Sequence, residues 1–167
     1  MEIRRVTPAD AEAYRDLRLF GLQEASSAFG STYEESVGRP LSEMEERLAP
    51  SEHAFTFGAF GEDGRLVGMV TLVREGMTKF QHRANIYAMY VHPDGRRHGV
   101  GRKLMDAALA QAGQLAGLEQ VHLTVNATNE PARRLYQSLG FEVCGYDKRG
   151  LKEVAEYHDE ERMVLFL

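Results

Sequence analysis

The run NIYAMYV, Asn85–Val91, is almost wholly apolar and passes directly into the turn HPDGRRHGVG and an amphipathic stretch beyond it. A short apolar run of this kind suits a strand buried on both faces of a sheet. From about Gly99 to Ala116 the spacing predicts a helix with Leu104, Met105, Ala108, Leu109, Ala112 and Leu115 on one stripe, stopped by Gly117. A buried strand that feeds a helix through a tight turn restricts the chain to architectures in which helices pack on a sheet.

The remaining segments supply that sheet. Glu2–Val6 reads as a short strand. Thr7-Pro8-Ala9-Asp10 offers a hydroxyl cap, a proline at the first helical position and an acid in the first turn, which predicts a helix through about Leu22. Glu24–Ser36 reads as a loop, and Ser42 with Glu45 as the capping box of a second helix ending near Leu48. Ala54–Phe60 and Leu66–Arg74 flank Glu62-Asp63-Gly64, a hairpin signal. Gln120–Val125 alternates, with Val121, Leu123 and Val125 on one face. Pro131–Leu139 reads as a helix ended by Gly140, and Phe141–Tyr146 and Arg162–Leu167 as closing strands. No repeat or linker interrupts the pattern, so one α/β (α+β) domain over residues 1–167 is expected.

Charge and composition exclude several classes. A net charge of −5 argues against a generic nucleic-acid binder, which is normally basic. No apolar run approaches the roughly 18 residues of a membrane span. The start MEIRRVTPAD is too polar for a signal peptide, so a cytoplasmic location is expected. Cys144 is the single cysteine, which rules out an internal disulfide and a cysteine-cluster zinc site, and no metal is expected.

The glycine-rich turn has its own chemistry. The first N–H groups of a helix lack intrahelical partners, and the macrodipole adds positive character there. Gly99 and Gly101 permit a ligand to approach the backbone, while Arg96, Arg97 and Arg102 add full charges. This suits a phosphate or pyrophosphate. It also suits a plain solvated turn, and the stretch alone does not separate the two. G-x-x-x-x-G-K-[ST] is absent, and Leu104 stands where G-x-G-x-x-G needs its third glycine, so neither common nucleotide loop is present.

A second segment, LTVNATNEPARRLYQSLGF (Leu123–Phe141), places Asn129 at a helix start and Tyr136 about two turns later on the same side. With Arg96-Arg97-His98-Gly99-Val100-Gly101 matching [QR]-x-x-G-x-[GA], and with MYVHPDGRR upstream, the chain resembles the Gcn5-related N-acetyltransferase (GNAT) superfamily over nearly its whole length. The resemblance implies a mixed central sheet with splayed middle strands, flanked by helices, and acetyl-CoA as acetyl donor. It implies that Met89 and Val91 bond the pantetheine arm through their main chain. It places Arg96, Arg97, His98, Gly99, Val100, Gly101 and Arg102 at the pyrophosphate, and Asn129 and Ala132 along the CoA arm. Tyr136 falls beside the thioester sulfur, where a phenol protonates the departing thiolate. Arg133 and Arg134 stand within reach of the CoA phosphates or on a solvated helix face.

The acceptor side is less marked. His82, just before the apolar run, has a near-neutral titration that suits a base, and Glu35 is a second candidate. Glu34 and Glu35 lie where family members form the acceptor wall. His158 and Asp159, in EYHDEERM, belong to a second polar stretch, Lys148–Glu161, which is expected as a loop bordering the amine site. Each of these residues also has a plain reading as an exposed surface group. The expected activity is direct acetyl transfer from acetyl-CoA to a primary amine of a small molecule or peptide. The alternatives are a non-catalytic acyl-CoA sensor or interaction module, and a protein lysine or N-terminal acetyltransferase. Family members often dimerise, so the resemblance leaves room for a homodimer.

Overall fold

The computed structural model describes residues 1–167. In chain order the elements are β1 (Glu2–Arg5), α1 (Ala11–Glu24), α2 (Tyr33–Val37), α3 (Leu41–Leu48), β2 (Ala54–Phe60), β3 (Leu66–Arg74), β4 (Arg83–Val91), α4 (Val100–Gln114), β5 (Gln120–Asn126), α5 (Glu130–Ser138), β6 (Glu142–Glu153) and β7 (Glu156–Phe166). The strands form one mixed sheet in the order β1-β2-β3-β4-β5-β7-β6, in which only β4 and β5 run parallel.

Two apolar layers cover the sheet. On one face the stripe of α4, through Val100, Leu104, Met105, Ala108 and Ala112, packs on Val70, Leu72, Ala84, Ile86, Val121 and Leu123, joined by Tyr136 of α5. On the other, Tyr14, Leu17 and Leu22 of α1 and Met44 and Leu48 of α3 pack on Phe60, Leu66, Met69 and Tyr90. Gly68 lies under α4, where an added Cβ would stand 2.9 Å from Leu104, so the helix sits close on the sheet.

Four local expectations need correction. Thr32 and Glu35 form the capping box, of the short helix α2 inside the expected loop; Glu35 N–H donates to Thr32 Oγ1 at 3.1 Å and Thr32 N–H to Glu35 Oε2 at 2.9 Å. Helix α3 instead starts after Pro40, with no side-chain cap, because Ser42 and Glu45 already lie within it. The stretch Lys148–Glu161 is no loop: β6 and β7 form one long hairpin, and Asp159 and His158 make their contacts within it. Asp159 accepts from the Tyr146 hydroxyl (2.6 Å) and the Arg149 N–H (2.7 Å), and His158 Nε2 lies 3.0 Å from Glu153.

The fourth correction bears on function. Strand β4 is not buried on both faces: Ala84 and Ile86 are, but Tyr87 is 55% exposed. It pairs with β5 only over Arg83–Asn85 against Gln120–His122. The β3–β4 register then jumps from Thr71↔Tyr87 to Met69↔Tyr90, one residue more on β4 than on β3, and Ala88 takes a φ of 51°. A bulge of this kind bends its strand and disturbs the ladder. Beyond it β4 and β5 have separated.

Candidate functional site

The site begins at that separation. His92 donates its N–H to Val67 on β3 at 2.8 Å. Strand alternation therefore turns the main-chain groups of Met89 and Val91 the other way, toward the gap. Backbone polar groups demand partners, so a split strand presents a ladder ready for an extended ligand arm. The gap opens into a cleft of about 1470 Å³, lined by β4, β5, α1, the β4–α4 turn, α5 and the β6–β7 hairpin. That is more than one drug-sized ligand fills.

At one end lies the start of α4. Gly99 caps it at φ 69°, and Arg97 two residues earlier sits at φ 66°. A left-handed conformation costs a non-glycine residue about 1 kcal/mol, so the strain at Arg97 has to be supported by its surroundings. Left-handed turns at a helix start gather N–H groups into an anion-binding concavity. Space beside Gly99 is open, whereas a Cβ on Gly101 would stand 3.3 Å from both Leu135 and Met89. The residues thus fit a pyrophosphate followed by an arm along β4.

The arginines of this turn divide. Arg96 is taken up within the protein: its Nε donates to the Val91 carbonyl at 3.0 Å and its two terminal nitrogens to Glu24 at 3.1 and 2.7 Å. Glu24 titrates lower than an ordinary carboxylate, chiefly through that guanidinium. Arg102 donates only to the neutral Ser138 hydroxyl at 3.1 Å, and Arg97 also lines the cleft, so these two keep their charge available. His98 faces a separate shallow depression with Gly61 and Lys103. Arg133 is bound to Glu161 at 2.9 and 3.0 Å, which leaves Arg134 as the more exposed of the α5 pair.

Helix α5 contributes Asn129, Ala132 and Tyr136 to the cleft wall. Asn129 caps the helix, its Oδ1 accepting from the Ala132 N–H at 3.3 Å, so its amide nitrogen is left for other partners. Tyr136 is 6% exposed and packs edge-on to Phe141 at 6.0 Å. Burial alone pushes its phenol up to about 12. It therefore holds its proton throughout the neutral range.

The opposite end of the cleft was missed from sequence. Arg83, Asn85, Tyr87, His122 and Thr124 line its floor, with Thr56 and Thr71 beside them. The signal was available in the alternation of Gln120, His122 and Thr124 with Val121, Leu123 and Val125, whose polar face went unused. Burial, then Arg83, lower the His122 titration, so its ring is neutral near pH 7. Arg18 forms part of the wall from α1, and Glu160 and Arg162 part of the wall from β7. Burial and Asp147 raise Glu160 above the usual carboxylate range. The candidate bases from sequence do not join this group: His82, Glu34 and Glu35 are not among the cleft-lining residues, and Glu35 is occupied in its capping box. No three His, Cys, Asp or Glu side chains cluster as a metal site, and no helix is long and apolar enough to cross a membrane.

A model of the Acetyltransferase (GNAT) family matches residues 22–141, which span both the split strand and the α5 segment. The chain belongs to the GNAT acetyltransferase family. Among relatives of this GNAT chain is the mycothiol acetyltransferase of Brachybacterium faecium, 37% identical over 106 residues, 63% of this chain and 32% of that protein. The chain thus spans about a third of that relative's length. A GNAT-family acetyltransferase from Streptococcus pneumoniae superposes with a TM-score of 0.87 at 25% identity, over 99% of each chain. A phosphinothricin acetyltransferase from Sinorhizobium meliloti, in complex with acetyl-CoA, shares the fold at TM-score 0.83 and 20% identity, over 99% of this chain and 88% of that one.

Proposed function

We propose that this GNAT chain transfers the acetyl group of acetyl-CoA to a primary amine by direct attack of the amine on the thioester. The observation that carries the reading is the coincidence of three features in one cleft: the opened β4 edge, the left-handed turn at α4 and the buried, protonated Tyr136. Family membership and the acetyl-CoA complex of a protein with the same fold support it.

The thioester supplies a carbonyl activated toward an amine nitrogen and a sulfur leaving group. The chain's own residues divide the remaining work. Arg97, Arg102 and the first N–H groups of α4 hold the pyrophosphate. Main-chain groups of Met89 and Val91 align the arm as an added strand aligns on a sheet edge. Tyr136 holds a proton for the departing sulfur, and its buried setting keeps that proton bound. The acceptor's proton has a destination in Glu160, a cleft carboxylate that binds protons more readily than usual. Glu160→Gln is expected to lower kcat/KM for the amine and leave acetyl-CoA affinity within a few-fold.

A thiol-release assay with acetyl-CoA against amines, polyamines, amino acids, antibiotics and peptides tests the reading. Acceptor-dependent release above the hydrolysis background is expected. Tight acetyl-CoA binding in calorimetry with no acceptor in the panel accelerating release would replace it with a non-catalytic acyl-CoA sensor.

A further inference from the structure

The charges in the cleft do not match those of the chain. The protein carries a net charge of −5, yet the cleft is lined by seven arginines and only two acids, Glu24 and Glu160. Arg96 is accounted for by Glu24, and Arg162 lies 3.3 Å from Asp147. Arg97 and Arg102 face the cofactor end. Arg18, Arg47 and Arg83 remain.

Arg18 is the informative one. It reaches from α1 into the cleft, half-buried, with its guanidinium 5.7 Å above the Phe29 ring and one hydrogen bond, to the Ser31 hydroxyl at 3.3 Å. Neither Arg18 nor Arg47 belongs to any ion pair, whereas neighbouring Arg39 is paired with Glu43. Burial disfavours the Arg18 cation, Tyr14 offsets part of that, and the nearby charges of Arg47 and Arg39 add to it, with no carboxylate against them. A guanidinium does not escape by losing its proton. A half-buried cation backed by a second cation is unfavourable until an anion arrives, and a planar guanidinium fork matches a carboxylate. On the floor, Arg83 repeats the pattern: its Nε is buried with no hydrogen-bond partner.

We infer that the acceptor is an amine that also carries a carboxylate, and that Arg18, backed by Arg47, is the side chain that binds this carboxylate. The inference rests on the acetyl-transfer reading above for the identity of the ligand as acceptor. Glu160 on the β7 wall gives the amino group of such a molecule a favourable partner, while Arg18 on the α1 wall takes its carboxylate.

The test uses the full chain saturated with CoA and does not require turnover. N-acetylglycine, N-acetylmethionine and N-acetylphenylalanine are each titrated by calorimetry against their methyl esters. At least one acid is expected to bind about tenfold or more tighter than its ester, as a lost charge-assisted contact implies. Arg18→Gln is expected to bring that ratio near one. Exposed Arg47→Gln, which leaves the core untouched, is expected to lower it by a smaller factor. Acids binding no better than esters across the set, including no binding at all, overturn the inference. A ratio that survives Arg18→Gln but collapses in Arg83→Gln overturns the assignment to Arg18. If Arg18→Gln fails to fold, Arg47→Gln decides, and an unchanged ratio there counts against the site. The same amino acids and esters, unacetylated, are run in the thiol-release assay. Preference for acid without turnover of any amine removes the acetyl-transfer reading and leaves the carboxylate subsite. Turnover without preference does the reverse.

Discussion

Glu24 holds Arg96 through both terminal guanidinium nitrogens, at 3.1 and 2.7 Å, and accepts the Tyr90 hydroxyl on the same carboxylate at 2.7 Å. The end of α1 is thereby tied to the β4–α4 turn, and one of the three arginines expected at the phosphates is neutralised. Removing the pair together, Glu24→Gln with Arg96→Gln, leaves the local charge unchanged and is expected to hold acetyl-CoA affinity within about threefold. Arg97→Gln or Arg102→Gln alone is expected to weaken it about fivefold, roughly 1 kcal/mol. Calorimetry at low salt checks both. A loss in the double variant as large as in the single ones means that Arg96 leaves Glu24 to bind phosphate.

Gly99 tests the turn itself. Its φ of 69° lies in the left-handed region, and the space beside it is open. A side chain there costs about 1 kcal/mol of strain, which lowers the melting temperature by roughly 2–4 °C in a chain of this size. Gly99→Ala is expected to show that strain and a modest loss of affinity. Gly99→Glu adds a negative charge where the pyrophosphate is expected, and acetyl-CoA affinity is expected to fall at least about tenfold. Equal affinities in the two folded variants would take the turn out of the cofactor site.

What could be read from sequence follows how local the determinants are. The bounds Ala54–Phe60 and Leu66–Arg74 were legible because two apolar runs around Glu62-Asp63-Gly64 specify a hairpin within about 20 residues, and Gly64 takes a φ of 78° there. The α4 stripe and the Asn129 cap were legible for the same reason. The opening of β4 was not: NIYAMYV looks buried, and only the bulge opposite Val70 and the early end of the β5 pairing expose Tyr87. The fate of Arg96 depends on Glu24, 72 positions away in the chain, and no spacing rule reaches that far. The outer ends of the β6–β7 hairpin were legible as strands, but its distal part, Lys148–Glu161, reads as a loop because its residues are mostly polar and largely solvent-exposed.

The acceptor wall also yields a prediction against the sequence reading. Glu34 is exposed on α2 and is not among the residues of the cleft. Glu34→Gln is therefore expected to leave the acceptor KM and acetyl-CoA affinity unchanged. Thr32→Ala, which removes the cap of α2, is expected to cost about 1 kcal/mol and roughly 2–4 °C in melting, with kinetics intact. A shift of more than about threefold in acceptor KM for Glu34→Gln would return α2 to the acceptor site.

Tyr136 carries the sharpest expectation. Tyr136→Phe keeps the ring against Phe141 and deletes the proton donor, so acetyl-CoA affinity is expected to stay within a few-fold while kcat falls about 10²–10⁴-fold. Its pH dependence is equally specific. Burial raises the phenol to about 12, so the protonated form that donates to sulfur persists well beyond pH 10. Wild-type kcat should therefore show no alkaline limb from this group below about pH 11. The same shift acts on the fold. Because the folded titration point lies above the ordinary tyrosine value of about 10, its contribution to stability is complete below pH 10 and is lost as pH rises toward 12. Rates above pH 10 must accordingly be read beside melting curves of the same sample. A folded Tyr136→Phe with unchanged kcat under rate-limiting chemistry would show that water protonates the thiolate and that the tyrosine serves as a wall of the cleft.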